Sequence, residues 1–398
     1  MTATNPSADP DPETCPPHGG ILPLGILVAC DSRSWGGLER EVVWLSAVWR
    51  AQGHRVTLYL PVGSRLEREA RAHGLAVLPH AHRGFLRIRD LVRLAGWIRR
   101  EQPDIIHVHD SPSLRLMSIM LWVAKSRGLL YLTRHMGLKH TRRGVLNRLF
   151  YHQIRRVYAI SGYVARAIHE HLPVPRDRVR ILPPGIQRRH FTIRPMSAEE
   201  AKSQLGLDPD RIVIGMLGRI TRLKGHREYL LAMQALRTGH PSIQGLVAGA
   251  AGPERVEQRF FREIETLRRQ LGLADTVRFT GESLDPRVHF AAMDIFVFPS
   301  HLESFGMTVI EAMTFGLPVI ACAAGAIPEI IEDGKTGILI PPLDPEALAQ
   351  AVSRLMAAPD LCRRLGGSAQ ASTERWDIQV IASQYTSDFY RDLGTRES

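Results

Sequence analysis

Two series of short apolar runs, each alternating with helix-like stretches, are the feature that most restricts the fold of this chain. The first series has strand candidates at Leu24–Ala29, Val56–Leu60, Ile105–His109, Leu129–Leu132 and Val157–Ile160. The second begins at Arg211 and has candidates at Val213–Leu217, Leu246–Ala248, Val277–Thr280, Ile295–Phe298 and Val319–Cys322. Helix-like stretches, including Leu38–Gln52 and Arg87–Arg100, lie between the runs. The alternation predicts an α/β fold with two doubly wound, Rossmann-like domains that face a central cleft.

The chain divides into four predicted parts. Residues 1–20 are rich in Pro, Asp and Thr without a basic-then-apolar order, so we expect a disordered tail and not a signal peptide. Residues 21–190 and 191–375 are the two predicted domains, joined through the polar and irregular segment Pro183–Pro209. Residues 376–398 contain a last helix-like stretch, Ile378–Leu393, with apolar residues at helical spacing.

Composition and charge restrict the class of protein and its surroundings. No apolar run approaches the roughly 20 residues of a membrane span, and the four cysteines lack the spacing of a metal site or a disulfide framework, which favours a reducing cytoplasm. The net charge of +11 is uneven, because residues 83–189 hold 22 Lys and Arg against 6 Asp and Glu. This half either has an arginine-rich solvated surface or meets an anionic partner, such as membrane lipid or a polyanion.

The segment from Asp294 to Cys322 has the order expected at a ligand-binding edge. A strand candidate, Ile295–Phe298, is followed by a loop that carries Glu303, a helix predicted from near Phe305 to Phe315, and a further strand candidate, Val319–Cys322. Ligands of open parallel sheets bind at the carboxyl ends of the strands. Glu303 is therefore expected at that edge.

The side chains and amides of this segment fit a nucleotide sugar. Glu311 is expected two turns into the predicted helix, about 12 Å from Glu303 if all eight residues were helical. The free amides of Phe305 and Gly306 at the start of the helix would face an anion. Two carboxylates for hydroxyls, with a helix N-terminus for phosphate between them, describe a nucleotide-sugar site.

A glycine turn follows the first strand and opens the first helix. Gly36 and Gly37 would let backbone amides approach a ligand closely. The order resembles a dinucleotide-binding turn, but the third glycine of that motif is missing, so NAD binding is disfavoured. A turn of this kind is also common as a purely structural feature.

Two histidines alternate along the third strand candidate. His107 and His109 are expected on the same face of the strand, and His109 ends it at the functional edge. A histidine in this place is either a hydrogen-bonded structural residue or a ligand contact. A metal role is disfavoured, because neighbouring ligand candidates lack the spacing of a zinc site.

Two basic residues follow the first strand of the second series. Gly218 and Arg219 come at the strand end, and Lys224 precedes the next helix. Two fixed cations at a strand edge neutralise the charge that develops on a departing diphosphate. Without such a ligand they would be ordinary surface residues.

Two Asp-Pro-Asp segments have the spacing of metal-binding aspartate pairs. They lie at Asp9–Asp11, in the tail, and at Asp208–Asp210, in the linker, and neither follows a strand core. Turn chemistry explains them better than metal binding. We therefore expect no metal and no cofactor, with Arg219 and Lys224 in place of a divalent ion.

The chain resembles retaining glycosyltransferases of the GT-B fold, and family 4 (group 1) most closely. The motifs that carry this resemblance are Glu303-Ser304-Phe305-Gly306, Glu311-Ala312 and Gly316-Leu317-Pro318-Val319-Ile320. The resemblance implies that residues 21–190 form the acceptor side, that residues 191–375 bind the donor, and that the terminal helix crosses back onto the first domain.

The same resemblance implies roles for the remaining candidates. Glu303 would bind the hydroxyls of the donor sugar and Glu311 the ribose, while His109 would contact the sugar from the other domain. Arg219 and Lys224, beside Gly218, would hold the diphosphate. Gly36 and Gly37 would reach across the cleft toward the donor.

These expectations give a hexosyl-type glycosyltransferase that moves a sugar from a UDP- or GDP-sugar to a lipid-linked or glycan acceptor of the bacterial envelope. Two alternatives stay open: a nucleotide-sugar epimerase of the same fold, and a basic nucleic-acid-binding protein. The second is less expected, because interleaved aromatic residues and a reading helix are not evident.

The arginines of the first domain lead to a prediction about location. Phe85–Arg100 places apolar residues along one helical side, expected to be core, with arginines largely away from it. A second basic cluster follows, at Lys139, Arg142, Arg143, Arg148, Arg155 and Arg156. An anionic bilayer would relieve the repulsion among these charges. We therefore expect a cytoplasmic protein that docks peripherally on the inner face of the membrane.

Overall fold

The computed structural model describes residues 22–81, 88–138, 140–252, 254–283 and 285–394, which form two parallel sheets. The first sheet contains β1 (Gly25–Ala29), β2 (Arg55–Pro61), β3 (Ala76–His80), β4 (Ile105–Val108), β5 (Leu129–Arg134), β6 (Ile154–Ala159) and β7 (Val179–Ile181). Its strand order is β3-β2-β1-β4-β5-β6-β7. Each neighbouring pair is parallel, as expected for strands joined through helices.

The second sheet repeats the doubly wound arrangement. Its strands are β8 (Ile212–Leu217), β9 (Ile243–Ala248), β10 (Val277–Gly281), β11 (Ile295–Phe298), β12 (Val319–Cys322) and β13 (Ile338–Ile340). The order is β10-β9-β8-β11-β12-β13, again with parallel pairs. Central strands such as β11 are buried throughout, because helices cover both faces of the sheet. The predicted α/β fold with two Rossmann-like halves is confirmed.

Helices connect the strands in both halves. Those of the first half are α1 (Gly37–Ala51), α2 (Arg65–Ala72), α3 (Ile88–Glu101), α4 (Ser111–Val123), α5 (Val145–His152), α6 (Gly162–His171) and α7 (Arg188–Thr192). The others are α8 (Ala198–Gln204), α9 (His226–Gly239), α10 (Arg255–Gln270), α11 (Pro286–Ala292), α12 (Met307–Thr314), α13 (Ile327–Ile330), α14 (Pro345–Met356), α15 (Pro359–Ser372) and α16 (Ile378–Gly394). None of the helices in the described ranges is long and apolar enough to cross a membrane.

The segment predicted as an irregular linker contains α7 and α8, so the expectation of irregular structure is wrong. The Ser197 hydroxyl accepts a hydrogen bond from the amide of Glu200, and the Glu200 carboxylate accepts one from the amide of Ser197, which is a capping box that starts α8. The buried Lys202 pairs with Asp294 at 2.9 Å and thereby ties α8 to the start of β11. These short helices were not predicted, because the prolines and polar residues of the segment leave no apolar periodicity.

The terminal helix α16 packs on the first sheet. Tyr385 and Phe389 are fully buried and contact the ring of Trp49 from α1. The hydroxyl of Tyr131 donates to Asp392 at 3.0 Å, and that of Tyr158 donates to Asp388 at 3.1 Å. Residues at both ends of the described chain therefore share one core.

The apolar side predicted for the stretch Phe85–Arg100 is only partly core. Leu94, Ala95 and Ile98 of α3 are buried, but Ile88 and Val92 are exposed. The expectation that these two residues face the core is wrong, because no described helix covers the first turns of α3 on that side. Phe85 and Arg87 lie outside the described residues, as do Lys139 of the second basic cluster and the predicted tail 1–20.

Candidate functional site

The first turn of α1 lies against the first turn of α12 and brings the two sheets together. Gly36 is the N-cap of α1 in an extended conformation. A Cβ atom on Gly37 would lie 3.0 Å from Cγ of Met307, so the Met307 side chain would have to give way by a few tenths of an ångström. Glycine at this position therefore permits the close approach of the two halves.

The carboxyl edges of β8 and β11 bring together two of the predicted site residues. Nζ of Lys224 lies 2.5 Å from Oε2 of Glu303 and 5.1 Å from the centre of the Phe298 ring. Gly225 makes this turn possible, because it has φ +73° and a Cβ there would lie 2.0 Å from the carbonyl oxygen of Pro299. The lysine and the glutamate neutralise each other in this ion pair.

Arg219 lies beyond the same strand but is not part of this pair. Gly218 has φ +155° and donates its amide to the carbonyl of Ala248 at 2.9 Å. Arg219 follows it, is exposed, and forms no ion pair with a described residue. Lys224 thus pairs with Glu303, whereas Arg219, predicted to act beside Lys224 at the strand edge, forms no ion pair with a described residue.

Helix α12 begins two residues later than predicted and ends at Thr314. Gly306, its N-cap, has φ +115°, a value that excludes it and Phe305 from the helix. Glu311 is therefore the fifth helical residue, little more than one turn in, and the separation estimated for a continuous helix does not apply. The amides of Phe305 and Gly306 donate to no described backbone carbonyl, so they stay available at the start of the helix.

Glu311 is fully buried and pairs with an arginine of the opposite half. Nη2 of Arg40, on α1, lies 2.6 Å from Oε1 of Glu311. Burial raises the pKa of Glu311, and the guanidinium of Arg40 opposes that rise. Arg40 was not predicted, since nothing in its local sequence distinguishes it from other arginines.

A chain of buried polar groups starts at His109. Nδ1 of His109 shares a hydrogen bond of 3.0 Å with Nε2 of His135, whose Nδ1 lies 3.5 Å from Oε2 of Glu41. Burial lowers the pKa of His109 to about 3 and raises the pKa of Glu41 to about 8. Burial, the neighbouring His109 and Arg134 also hold the pKa of His135 well below its ordinary value. At neutral pH the side chains of His109, His135 and Glu41 are therefore uncharged.

His107 contributes to the core and not to the cleft. Its ring lies 4.4 Å from that of His109, which agrees with the predicted shared face, and its Nε2 bonds the Thr133 hydroxyl at 2.7 Å. The missed partner of His109 was His135, which follows the end of β5. A histidine immediately after a strand is the same signal that identified His109.

Further contacts link the two halves around the site. The hydroxyl of Ser161 donates to the carbonyl of Ser304 at 2.7 Å. The carboxylate of Glu329 accepts the amides of Gly162 and Tyr163, the first residues of α6, at 2.7 and 2.8 Å. A carboxylate at a helix N-terminus is stabilised by the helix dipole. These contacts join the two halves beside the candidate site.

The described residues include no group of three or more His, Cys, Asp or Glu side chains that would hold a metal ion. Of the two Asp-Pro-Asp segments, Asp208 accepts the amide of Asp210 at 3.0 Å and pairs with Arg211 at 3.1 Å. These are turn contacts, as expected. The segment Asp9–Asp11 lies outside the described residues.

Two family models match the chain, one in each half. The model "Glycosyl transferases group 1" matches residues 197–372, and "Glycosyltransferase Family 4" matches residues 35–190. The first match contains Gly218, Arg219, Lys224, Glu303 and Glu311. The second contains Gly36, Gly37, Arg40, Glu41, His109 and His135.

Curated relatives match over part of their length. A D-inositol 3-phosphate glycosyltransferase of Actinosynnema mirum is 38% identical over 208 residues, which are 50% of this chain and 49% of the relative. Another of the same name, from Streptomyces griseus, is 34% identical over 55% of this chain and 47% of its own. The chain thus spans about half the length of the curated relatives that it matches.

Solved structures match over nearly the whole chain at low identity. A glycosyltransferase from Rickettsia africae has a TM-score of 0.83 at 19% identity, covering 94% of this chain and 99% of its own. Anabaena HepE in complex with UDP-glucose has a TM-score of 0.82 at 21% identity, covering 92% of this chain and 100% of its own. At these identities the likeness shows a common fold.

Proposed function

Because the chain belongs to the group 1, family 4 glycosyltransferases of the GT-B fold, we propose that it is a retaining hexosyl-type glycosyltransferase. It moves a sugar from a nucleoside diphosphate to an acceptor hydroxyl. Both family models describe glycosyl transfer, so neither the epimerase nor the nucleic-acid-binding alternative is favoured.

The observation that supports this proposal is the contact between Lys224 and Glu303 at the edge where β8 and β11 end. Lys224 supplies a cation for the diphosphate, and Glu303 supplies a carboxylate for the sugar hydroxyls. The two side chains are adjacent, as are the sugar and the phosphate of a nucleotide sugar. The free amides of Phe305 and Gly306 add donors for phosphate oxygens. Glu311 would receive the ribose hydroxyls, with Arg40 moving aside or remaining as a second partner.

The proposed reaction is a front-face displacement. The acceptor oxygen forms a bond to the anomeric carbon while the bond from that carbon to the diphosphate oxygen breaks. The departing phosphate oxygen takes the proton of the acceptor hydroxyl. Lys224 and Arg219 neutralise the charge that develops on the diphosphate, and His109 orients the sugar from the other half. No divalent ion takes part in this scheme.

The donor is a UDP- or GDP-sugar. Anabaena HepE, which shares the fold, is known in complex with UDP and with UDP-glucose, which supports a nucleoside diphosphate as the bound group. The acceptor is a lipid-linked or other glycan of the bacterial envelope. The protein works in the cytoplasm, with peripheral contact to the inner face of the membrane and no nucleic-acid partner.

A panel of nucleoside diphosphate sugars, screened by thermal shift, tests the proposal. A bound donor stabilises the folded state in proportion to its occupancy, so one base and sugar should raise the melting temperature most. The sugar released or transferred from that donor is then followed by NMR. An α-linked donor should yield an α-linked product at early times, and a β-linked product would refute retention.

Sugar release and DNA mobility, measured beside the screen, separate the alternatives. An epimerase would release a free, altered sugar without an acceptor. A nucleic-acid-binding protein would give a salt-dependent shift of DNA mobility with no stabilisation by any nucleotide sugar. Lys224→Ala is the control, since it should abolish the donor-dependent shift.

A further inference from the structure

Helix α5 turns an apolar side to solvent. Val145, Leu146 and Leu149 are all exposed, Val145 by 83%, while Tyr151 is the residue of this helix that enters the core. Three exposed aliphatic side chains within five residues are unusual on an unpartnered surface. A cluster of this kind is typical of an interaction surface.

The neighbouring helix α4 continues this surface. Arg142, just before α5, reaches the hydroxyl of Ser111 at the start of α4, and the two helices pack together. Ile119 and Trp122, two and three turns further along α4, are exposed, Trp122 by 81%. We call the exposed residues Arg115, Ile119, Trp122, Arg142, Arg143, Val145, Leu146, Arg148 and Leu149 the α4–α5 face.

The α4–α5 face is strongly basic. Residues 111–169 contain 11 Lys and Arg and no Asp or Glu. The side chains of Arg142, Arg143 and Arg148 bond neutral oxygens, and none of the ion pairs among the described residues includes them or Arg115. Arg155 and Arg156 differ, since both pair with Asp392 of α16. The positive charge of the face is therefore not compensated by the described part of the chain.

The mixture of side chains identifies the occupant. Nucleic acid would accept the arginines but gains little from exposed valine and leucine. A second copy of this chain would place like charges opposite each other across a symmetric contact. An anionic bilayer satisfies both classes at once, because arginines meet lipid phosphates while aliphatic residues and an interfacial tryptophan enter the acyl boundary.

We propose that the α4–α5 face docks on an anionic lipid bilayer, with Val145, Leu146, Leu149 and Trp122 inserted among the lipids. The face begins near His135, since the neighbouring Arg134 donates to the hydroxyl of Ser111 at 3.0 Å, and Arg142 of the face reaches the same hydroxyl. Docking would thus bring the mouth of the cleft to the membrane surface. The inference that this delivers a lipid-linked acceptor rests on the proposed function, whereas the docking itself does not.

Vesicle co-sedimentation tests the docking. The full chain should bind vesicles of phosphatidylglycerol and phosphatidylcholine but not phosphatidylcholine alone, and binding should weaken as salt is added. Val145→Glu combined with Leu149→Glu should lower the vesicle affinity by at least about tenfold, because it removes apolar burial and adds charge repulsion. The matched control is Val256→Glu on α10 of the other half, where Val256 is exposed by 70%; it should bind like the wild type.

Tryptophan emission tests the orientation. Anionic vesicles should shift the emission of the wild type to shorter wavelength, and Trp122→Phe should remove most of that shift while the other five tryptophans remain. Equal losses in Val145→Glu/Leu149→Glu and Val256→Glu, or equal binding to both vesicle types, would overturn the proposal. The proposal would also be overturned if the wild type were a dimer that Val145→Glu/Leu149→Glu dissociates, with lipid having no effect on either protein.

The docking and the proposed function fail separately. Donor-induced thermal stabilisation, measured without vesicles, should be unchanged in Val145→Glu/Leu149→Glu, because neither residue belongs to the candidate site. Vesicle binding without a donor shift in the wild type would refute the proposed function alone. A donor shift without vesicle binding would refute the docking, and with it the peripheral membrane contact of the proposed function, but not the glycosyl transfer.

Discussion

Glu41→Gln is the substitution whose effect on stability is best defined by the structure. Glu41 is fully buried, its carboxyl oxygens accept no hydrogen bond from a described residue, and its nearest polar neighbour is Nδ1 of His135 at 3.5 Å. Burial raises the pKa of Glu41 from 4.5 to about 8. Glutamine has almost the same shape but does not ionise, so it isolates the cost of the charge.

The sign and size of the effect follow from proton linkage. Between pH 4.5 and 8 the folded protein keeps a proton on Glu41 that the unfolded chain releases, so the free energy of unfolding falls as the pH rises. Each pKa unit corresponds to about 1.4 kcal/mol, which gives about 3 kcal/mol at neutral pH and about 4–5 kcal/mol once the pH exceeds the folded value. Glu41→Gln lacks this loss.

Urea unfolding of both proteins across this pH range provides the assay. The glutamine variant should match the wild type near pH 5 and become progressively more stable than it up to about pH 8, after which the difference levels off. Glu346→Gln, which replaces an exposed glutamate of α14, should differ from the wild type by a constant amount. A constant difference for Glu41→Gln as well, or a growing loss of stability, would mean that Glu41 is ionised and paired with a protonated His135.

The remaining predictions concern the candidate site. Arg219→Ala and Lys224→Ala should each lower the rate of sugar transfer by at least about a hundredfold, the scale for losing one preorganised charge partner; near-normal steady-state rates in both would disprove their role. Glu303→Gln should lose activity while its melting temperature changes little, since a loop carboxylate supports no core; a large fall in melting temperature would assign it a structural role instead. Glu311→Ala should mainly weaken donor binding, and unchanged affinity by calorimetry would contradict a ribose contact. Activity should survive EDTA, because Arg219 and Lys224 take the place of a divalent ion; complete loss that magnesium or manganese restores would contradict this.

Much of the fold was predictable because its signals are local. The strands β11 and β12 have the predicted bounds, since each is a continuous apolar run closed by Pro or Gly on at least one side. The strands β3, β7 and β13 were not predicted. Strands β7 and β13 have only three residues each, while β3 contains a proline and is only partly buried, so their apolar patterns are weak.

The errors within the site have the same origin. The start of α12 was predicted too early, because the residues that follow Phe305 and Gly306 are helical and the sequence marks no boundary there. The backbone of Gly306, with φ +115°, shows that the helix cannot include these two residues. A Cβ on Gly306 would also lie 2.8 Å from Cδ1 of Ile327, so both the backbone conformation and the packing favour glycine where the helix begins.

The sequence by itself determined which residues stand at strand ends, and hence that Glu303, Lys224 and His109 belong to the cleft edges. Only the tertiary structure paired Arg40 with Glu311 and Glu41 with His135. Arg40 and Glu41 are adjacent on α1, yet one serves the opposite half and the other its own. Periodicity assigns a residue to a face of a helix. Its partner across a cleft depends on how two independently formed sheets pack, and that packing is set by side chains far apart in the chain.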